Sequence, residues 1–402
     1  MTLRGKTVLV TGATGFIGGR LVEKLILEHG AIVRALVRDF RKAIRLGRFD
    51  VELVLGDVTD PQVVSAAAKG CDVIFHCAFG ASGTVQQQRA ATVDGTRHLV
   101  DAAVAAGVRR FVHVSTLSVY GDLKGNELTE SAPRVRTGDV YGDTKLEAEE
   151  IVLSAHQTQQ LSAVVLQPTV VYGPFGGWWT AGQLDRLKAG RFALANGGEG
   201  VCNPVYVDDV VQAAIRAALA DNVEGQTFLV SGPAPVTWRD YYAAMERMLG
   251  RSSTLPMNVE EIRQRQKEPR KPRTVFGWAL QVLRERPDIR QRFVNSPILG
   301  LPYRVLSKLA PRKLLNAAKR RVLGADVVPP ETQAKTDAAE AASPADSRPI
   351  IVPDAASLSQ FTSPTRVNID KARAMLGYAP QYDLSRGMAL TEQWARWAGL
   401  LS

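Results

Sequence analysis

Short apolar runs recur through the first 120 positions, and between them apolar residues return every three or four places. Residues 7–10, 32–37, 51–55, 73–77 and 110–115 are the runs, rich in Val, Ile and Leu, and they read as strands. Segments 18–29, 61–68 and 95–106 carry the helical spacing. The runs are continuous rather than alternating, so each strand is expected to be buried on both faces. That pattern belongs to a parallel sheet covered by helices on either side. A further helix is predicted over 139–157 and a further strand over 161–167, ended by Pro168. Beyond it the texture changes to loops containing Gly, Trp and Pro, with one helix near 208–220. Two closing helices are expected over 370–376 and 388–397, and no internal repeat is present.

Composition sharpens this outline in one place. The chain has 402 residues and a net charge of +10. Residues 251–325 alone hold 18 Lys and Arg against 5 Asp and Glu, so the basic charge belongs to that segment and not to the α/β body. Residues 326–348 are rich in Ala, Pro, Asp, Glu, Ser and Thr and read as a linker. The expected division is a doubly wound α/β domain over 1–168, a substrate-side region from 169–250 and 350–402, a basic helical insert over 251–325, and a flexible linker over 326–349. Cys71, Cys77 and Cys202 form no CxxC pair, and the five histidines show no metal-ligand spacing, so no metal site is expected. Arg4 and Lys6 lead straight into a strand rather than a signal-peptide core, and no apolar run reaches the ~18 residues of a spanning helix. The expected location is the cytoplasm.

The first strand runs into Thr11-Gly12-Ala13-Thr14-Gly15-Phe16-Ile17-Gly18, followed by a helix. Glycines at 12, 15 and 18 permit a tight turn, close approach of backbone to a pyrophosphate, and tight helix–strand packing. The helix start adds unpaired N–H groups and a field that favours phosphate. Strand, glycine turn and helix in that order indicate a Rossmann dinucleotide site. At the end of the second strand, Val37 stands where a ribose-binding acid is expected and Arg38 follows. This pattern favours NADP, while Asp39 keeps NAD open.

Tyr141 and Lys145 lie four residues apart on a predicted helix and so share one face. A free phenol, with a pKa near ~10, is a poor base at neutral pH, and a nearby ammonium would lower it. The Tyr could then exchange a proton with a substrate hydroxyl or carbonyl while hydride moves to or from a nicotinamide. Ser115 and Thr116 close an apolar strand, at the end of a parallel strand where ligands bind, and either could hold the reacting oxygen.

Together with Leu55–Val58, His76–Ala78, Val93–Thr96, Gln167–Pro174 and Val205–Val210, these motifs resemble the extended short-chain dehydrogenase/reductases, the NAD(P)-dependent epimerase/dehydratase group. The resemblance covers roughly 1–250 and 361–398. It implies that Tyr141 is the acid/base, that Lys145 is its partner and a ligand of the nicotinamide ribose, and that Thr116 is the catalytic hydroxyl. It also implies adenine contacts from Asp57 and Val58, a cofactor path along Ala78, a place for Pro168 beside the nicotinamide, and a homodimer through helices near 95–106 and 141–156. Two positions depart from the pattern, Thr92 for a common Asn and Gln167 for a common Arg. Leu117 and Ser118 replace the Asp-Glu pair of the 4,6-dehydratases, so that activity is not expected.

The expected function is NAD(P)-dependent oxidoreduction or epimerisation at a substrate carbinol, on a nucleotide sugar or related sugar. A lipophilic, sterol-like or polyprenyl-linked alcohol is the alternative, and a catalytically silent dinucleotide-binding protein is a third reading. The basic insert reads either as an ordinary helical subdomain or as an amphipathic surface over 297–323 drawn to anionic lipid. No aromatic-interleaved groove points to nucleic acid.

Overall fold

In the computed structural model, which describes residues 2–267 and 348–401, the early apolar runs become one parallel sheet. The first half of the chain gives β1 (Thr7–Thr11), α1 (Phe16–Leu27), β2 (Ile32–Val37), β3 (Val51–Leu55), α2 (Pro61–Ala68), β4 (Val73–His76), α3 (Val85–Arg89), α4 (Gly95–Ala105) and β5 (Arg110–Val114). There follow β6 (Glu127–Leu128), α5 (Val140–Gln159), β7 (Ala163–Pro168), β8 (Val170–Tyr172), α6 (Gly182–Ala189), β9 (Arg191–Ala195), β10 (Val201–Cys202), β11 (Pro204–Tyr206), α7 (Val207–Leu219), β12 (Thr227–Val230), β13 (Val236–Thr237) and α8 (Trp238–Leu249). The last elements are β14 (Thr254–Met257), α9 (Val259–Lys267), β15 (Ile350–Ile351), α10 (Ala355–Thr362), β16 (Arg366–Val367), α11 (Asp370–Leu376) and α12 (Leu384–Trp397).

The seven-stranded sheet has the order β12-β7-β5-β4-β1-β2-β3. Val8 on β1 pairs with Val33 on one side and Val73 on the other, so the strand order reverses there. The crevice beyond the carboxyl ends of β1 and β4 is therefore the switch point where such sheets bind ligands. Alternate residues of β1 explain its continuous apolar run. Val8 and Val10 pack with α1 and α7, whereas Leu9 packs with α2, α4 and α5. Caps fix the helix starts. Asp60 accepts from Gln62 N–H and Val63 N–H ahead of Pro61, and Asp139 accepts from Gly142 N–H at 2.7 Å to start α5.

Three features differ from the sequence expectation. The seventh strand, β12, comes from beyond residue 168, and α7 covers the first core, so the sheet domain draws on later sequence. The opening of the basic segment is woven into the body: β14 pairs with β9, and α9 follows it. A second core forms around Tyr172, Phe192, Trp238, Tyr241, Tyr242 and Phe361. The remainder of the predicted basic insert, with its 297–323 stretch, and residues 326–347 of the linker lie outside the described residues.

Candidate active site

The dinucleotide cradle follows from its glycines. Gly12 takes φ +68°, and a Cβ there would stand 2.7–2.8 Å from the Cys77 carbonyl and the Ala78 nitrogen. A Cβ on Gly18 would stand 2.3 Å from the Gly12 oxygen, so helix α1 and the turn touch through backbone. Gly15 caps α1 without a side-chain bond, and the first turn carries no acid. Its N–H groups and positive end are thus available to an anion. A cradle too tight for any side chain, ending on an uncapped helix, fits a pyrophosphate. Ala13, Thr14, Phe16 and Ile17 complete this turn.

Val58 is buried and packs where a Cβ on Gly95 would strike it at 2.6 Å. The Asp57 carboxylate accepts from Thr59 N–H and Thr59 Oγ1–H, both at 3.0 Å, and stands 3.8 Å from Arg38. Asp39 is engaged locally, accepting from Arg41 N–H and its guanidinium at 2.9 Å. Arg38 stays largely in solvent at this end of the sheet.

Tyr141 and Lys145 sit in the first turns of α5, against the carboxyl end of β5. Thr116 stands close enough to the Tyr141 phenol to favour its ionised form, and Phe79 meets the Tyr141 ring edge-on at 5.6 Å. Tyr141 as a whole keeps 38% of its surface exposed. Lys145 is buried, donates to the Val114 carbonyl at 2.5 Å and lies 3.5 Å from His113 Nε2. Burial brings its ammonium down to about 8, although Cys77 and Glu149 pull it upward. The same Cys77 backs Gly12, so the cradle and the lysine share a neighbour.

One expectation is corrected here. Spacing alone predicted a phenol made more acidic by Lys145. Instead Tyr141 stands above the ordinary tyrosine value, because burial raises it more than Thr116 lowers it. The ammonium one turn away is directed at the Val114 carbonyl.

The two candidate hydroxyls also separate. Ser115 Oγ donates to Glu149 at 2.8 Å, whereas Thr116 caps the turn of residues 117–120 and faces Tyr141. Leu117 is buried, and Ser118 Oγ accepts from Thr116 Oγ1 at 3.3 Å. Thr92 ties the loop after β4, accepting from Gly80 N–H at 2.9 Å, which is an ordering role with a shorter side chain. Pro168 ends β7 in the buried floor beside this cluster.

On the substrate side, Asn203 is a structural brace. It donates to the Thr365 carbonyl and accepts from Val367 N–H, both at 3.0 Å. Trp179 packs on Trp238 at 5.4 Å, while Trp178 is 64% exposed.

Sequence reasoning missed the layer beneath the site. His76 is buried and links Thr11 Oγ1 at 2.7 Å to Thr96 Oγ1 at 2.9 Å, and desolvation holds it neutral, at about 3. Glu149, fully buried, binds Arg134 Nε at 2.9 Å and the Gln167 amide at 2.9 and 3.0 Å. Gln167 in turn accepts from Tyr120 OH at 2.7 Å. The four-residue interval from Lys145 to Glu149 was the one available signal, since it repeats the Tyr141–Lys145 interval on the same face.

Residues 8–231 match the NAD dependent epimerase/dehydratase family. A 2-alkyl-3-oxoalkanoate reductase of Stenotrophomonas maltophilia is 31% identical over 243 residues, covering 58% of this chain and 72% of the relative. A 3 beta-hydroxysteroid dehydrogenase/Delta 5→4-isomerase of Mycobacterium tuberculosis is 35% identical over 252 residues, covering 58% and 67%. Among solved structures, UDP-glucuronic acid 4-epimerase from Bacillus cereus, in complex with UDP-glucuronic acid and NAD, superposes with a TM-score of 0.64 at 17% identity. The superposition covers 98% of this chain and 99% of that one, and it shows a shared fold. The chain belongs to the NAD dependent epimerase/dehydratase family and is an NAD(P)-dependent oxidoreductase or epimerase.

Proposed function

We propose that this chain interconverts a secondary carbinol and a ketone, with Tyr141 as acid/base, Thr116 holding the reacting oxygen and Lys145 fixing the charge beside them. The observation that carries the reading is the convergence of Tyr141, Thr116 and Lys145 at the end of β5, with Cys77 joining Lys145 to the Gly12 turn. A nicotinamide dinucleotide, which the Gly12–Gly18 turn would hold, would supply or take the hydride. In the reductive direction the Tyr141 hydroxyl gives its proton to the carbonyl oxygen, and Thr116 Oγ1 holds that oxygen in place. A phenol that favours its protonated form suits this direction. Lys145, itself buried, brings positive charge beside the site, where it opposes the negative charge developing on oxygen.

For the substrate, a ketone or alcohol on an apolar body is supported by the exposed rings of Phe79 and Trp178 and by the relatives named above. The nucleotide-sugar reading rests on likeness to sugar-nucleotide enzymes at the level of fold. A 4,6-dehydratase is disfavoured, because Leu117 and Ser118 offer no second acid or base after Thr116. NADP is favoured over NAD, because Asp39 is spent on Arg41 while Arg38 stays exposed. A homodimer across the outer faces of α4 and α5, work in the cytoplasm, and peripheral membrane contact through 297–323 are sequence-based proposals. Sedimentation with and without anionic vesicles reads the dimer and the membrane contact.

The test is a substrate panel of 3-oxo acids, steroid alcohols and UDP-sugars with NADPH and NADH, run on wild type and Tyr141→Phe. Turnover of one class, falling at least ~100-fold in the variant, is expected. NADPH is expected to bind about tenfold more tightly than NADH. Undiminished turnover in Tyr141→Phe sinks the assignment of the base. Failure of both dinucleotides to bind would favour a role outside oxidoreduction.

A further inference from the structure

Glu149 is fully buried near the site, and its partners come from three separate parts of the chain. It lies on α5, two turns after Tyr141 and one after Lys145. Its oxygens accept from Ser115, the residue before Thr116, and from Gln167, the residue before Pro168. Arg134, from the loop that enters α5, supplies the only cation within ion-pair distance of it among the described residues. Arg134 also donates to Thr227 on β12 at 3.2 Å. Tyr120 holds the far end of the Gln167 amide.

A carboxylate sealed from water is tolerated only when a cation and several donors satisfy it. Here the donors stand on the ends of β5 and β7, and the cation stands on a loop. Satisfying Glu149 therefore fastens the helix that bears Tyr141 and Lys145 to the two strand ends that bear Thr116 and Pro168.

We propose that Glu149, locked by Arg134, is a positioning residue that sets the distance between Tyr141 and the oxygen held by Thr116. Arg134 brings from the loop a charge that the Gln167 position, already touching both Glu149 oxygens, could supply from within the sheet. This inference rests on the catalytic reading of Tyr141 given above.

The distinguishing experiment moves the charge. Arg134→Gln removes the cation, and Arg134→Gln/Gln167→Arg restores it on β7. Each protein is assayed as the NADPH complex with the best-turned-over member of the substrate panel, with melting temperature measured in parallel. Tyr141 ionisation is followed by ultraviolet difference spectra against the matching Tyr141→Phe protein in the presence of NADP. A misplacement near 1 Å costs up to ~100-fold in rate. The expected results for Arg134→Gln are therefore a fall in kcat of about 10–100-fold, little change in KM, and a Tyr141 midpoint shifted upward. The double variant regains kcat to within a few-fold and returns the midpoint. Tyr120→Phe, which loosens only Gln167, keeps the fold and lowers kcat several-fold, and it carries the test if Arg134→Gln does not fold.

An unchanged kcat and midpoint in Arg134→Gln overturn the proposal. So does a double variant that recovers melting temperature without recovering kcat, and in the fallback so does an unaltered kcat in Tyr120→Phe. Full turnover in Tyr141→Phe overturns the catalytic reading instead. The Tyr141 midpoints then still report whether Arg134 governs the placement of the phenol.

Discussion

Lys145 carries its charge where charge is expensive. Its ammonium is nearly sealed from water, and its nearest partners are a carbonyl and a neutral imidazole rather than a carboxylate. Burial therefore brings it to about 8 from an ordinary 10.5. A lysine lowered in the folded state destabilises the fold while both states are protonated, below about 8, and that penalty fades as pH rises to 10.5. Lys145→Met is accordingly expected to melt roughly 2–4 °C above wild type at pH 7 while losing turnover. The advantage should disappear by about pH 10.5 in melts taken across the pH range. A variant less stable than wild type at neutral pH would show that the ammonium has a partner able to compensate its burial. Tyr141, Lys145 and Thr116 were legible as candidates because residue type and interval carry their chemistry. The direction of the phenol's shift was not legible, because it depends on where the ammonium points.

The elements owe their relative placement to a few buried charges. Glu23 on α1 binds Arg20 at 2.8 Å, Arg45 at 2.7 Å and Arg48 at 3.0 Å, and Arg20 continues to Asp208 on α7 at 2.6 Å. The cradle helix is thus tied both to the segment after β2 and to the opposite end of the motif that opens α7. Burial pushes the Glu23 carboxyl up, but the hydrogen bonds from Arg45 and Arg20 outweigh it and bring it to about 2. A carboxylate lowered in the fold stabilises above its unfolded value near 4.5, and that contribution is lost as pH falls towards 2. Glu23→Gln should cost on the order of 3 kcal/mol at pH 7 and should lack the part of the acid unfolding that wild type shows between those values. Urea melts at pH 7 and pH 3 check it, and an equal loss at both would refute the ionic origin. Strand and helix positions followed from the apolar pattern, but these ties join positions as far apart as 20 and 208, which no local pattern records.

Across the whole molecule, the returning C-terminal segment completes both cores. Ile369, Ala372, Leu376 and Tyr378 join the core of the main sheet, while Leu358, Phe361, Met388 and Ala395 fill the second. β15 pairs with β9 and β16 with β6, and Asp209 accepts from the N–H groups of Gln381 and Tyr382 at 2.8 and 3.2 Å. A chain ended before Ile350 is therefore expected to lose cooperative melting, followed by circular dichroism and limited proteolysis. A sharp melt in that truncation would mean the first 267 residues hold both cores alone.

The sequence by itself determined the alternation of strands and helices, the glycine turn that admits a dinucleotide, and the four-residue interval of Tyr141 and Lys145. Each is fixed within a dozen or so neighbouring residues, by backbone sterics, side-chain period or helix geometry. Tertiary structure alone decided that Ser115 serves Glu149 while Thr116 faces the phenol, that Asn203 braces the returning segment, and that Arg134 is the cation paired with Glu149. These outcomes turn on which buried groups meet across the sheet. Burial makes every unsatisfied charge or hydrogen bond costly, so the partners are chosen by the packed whole.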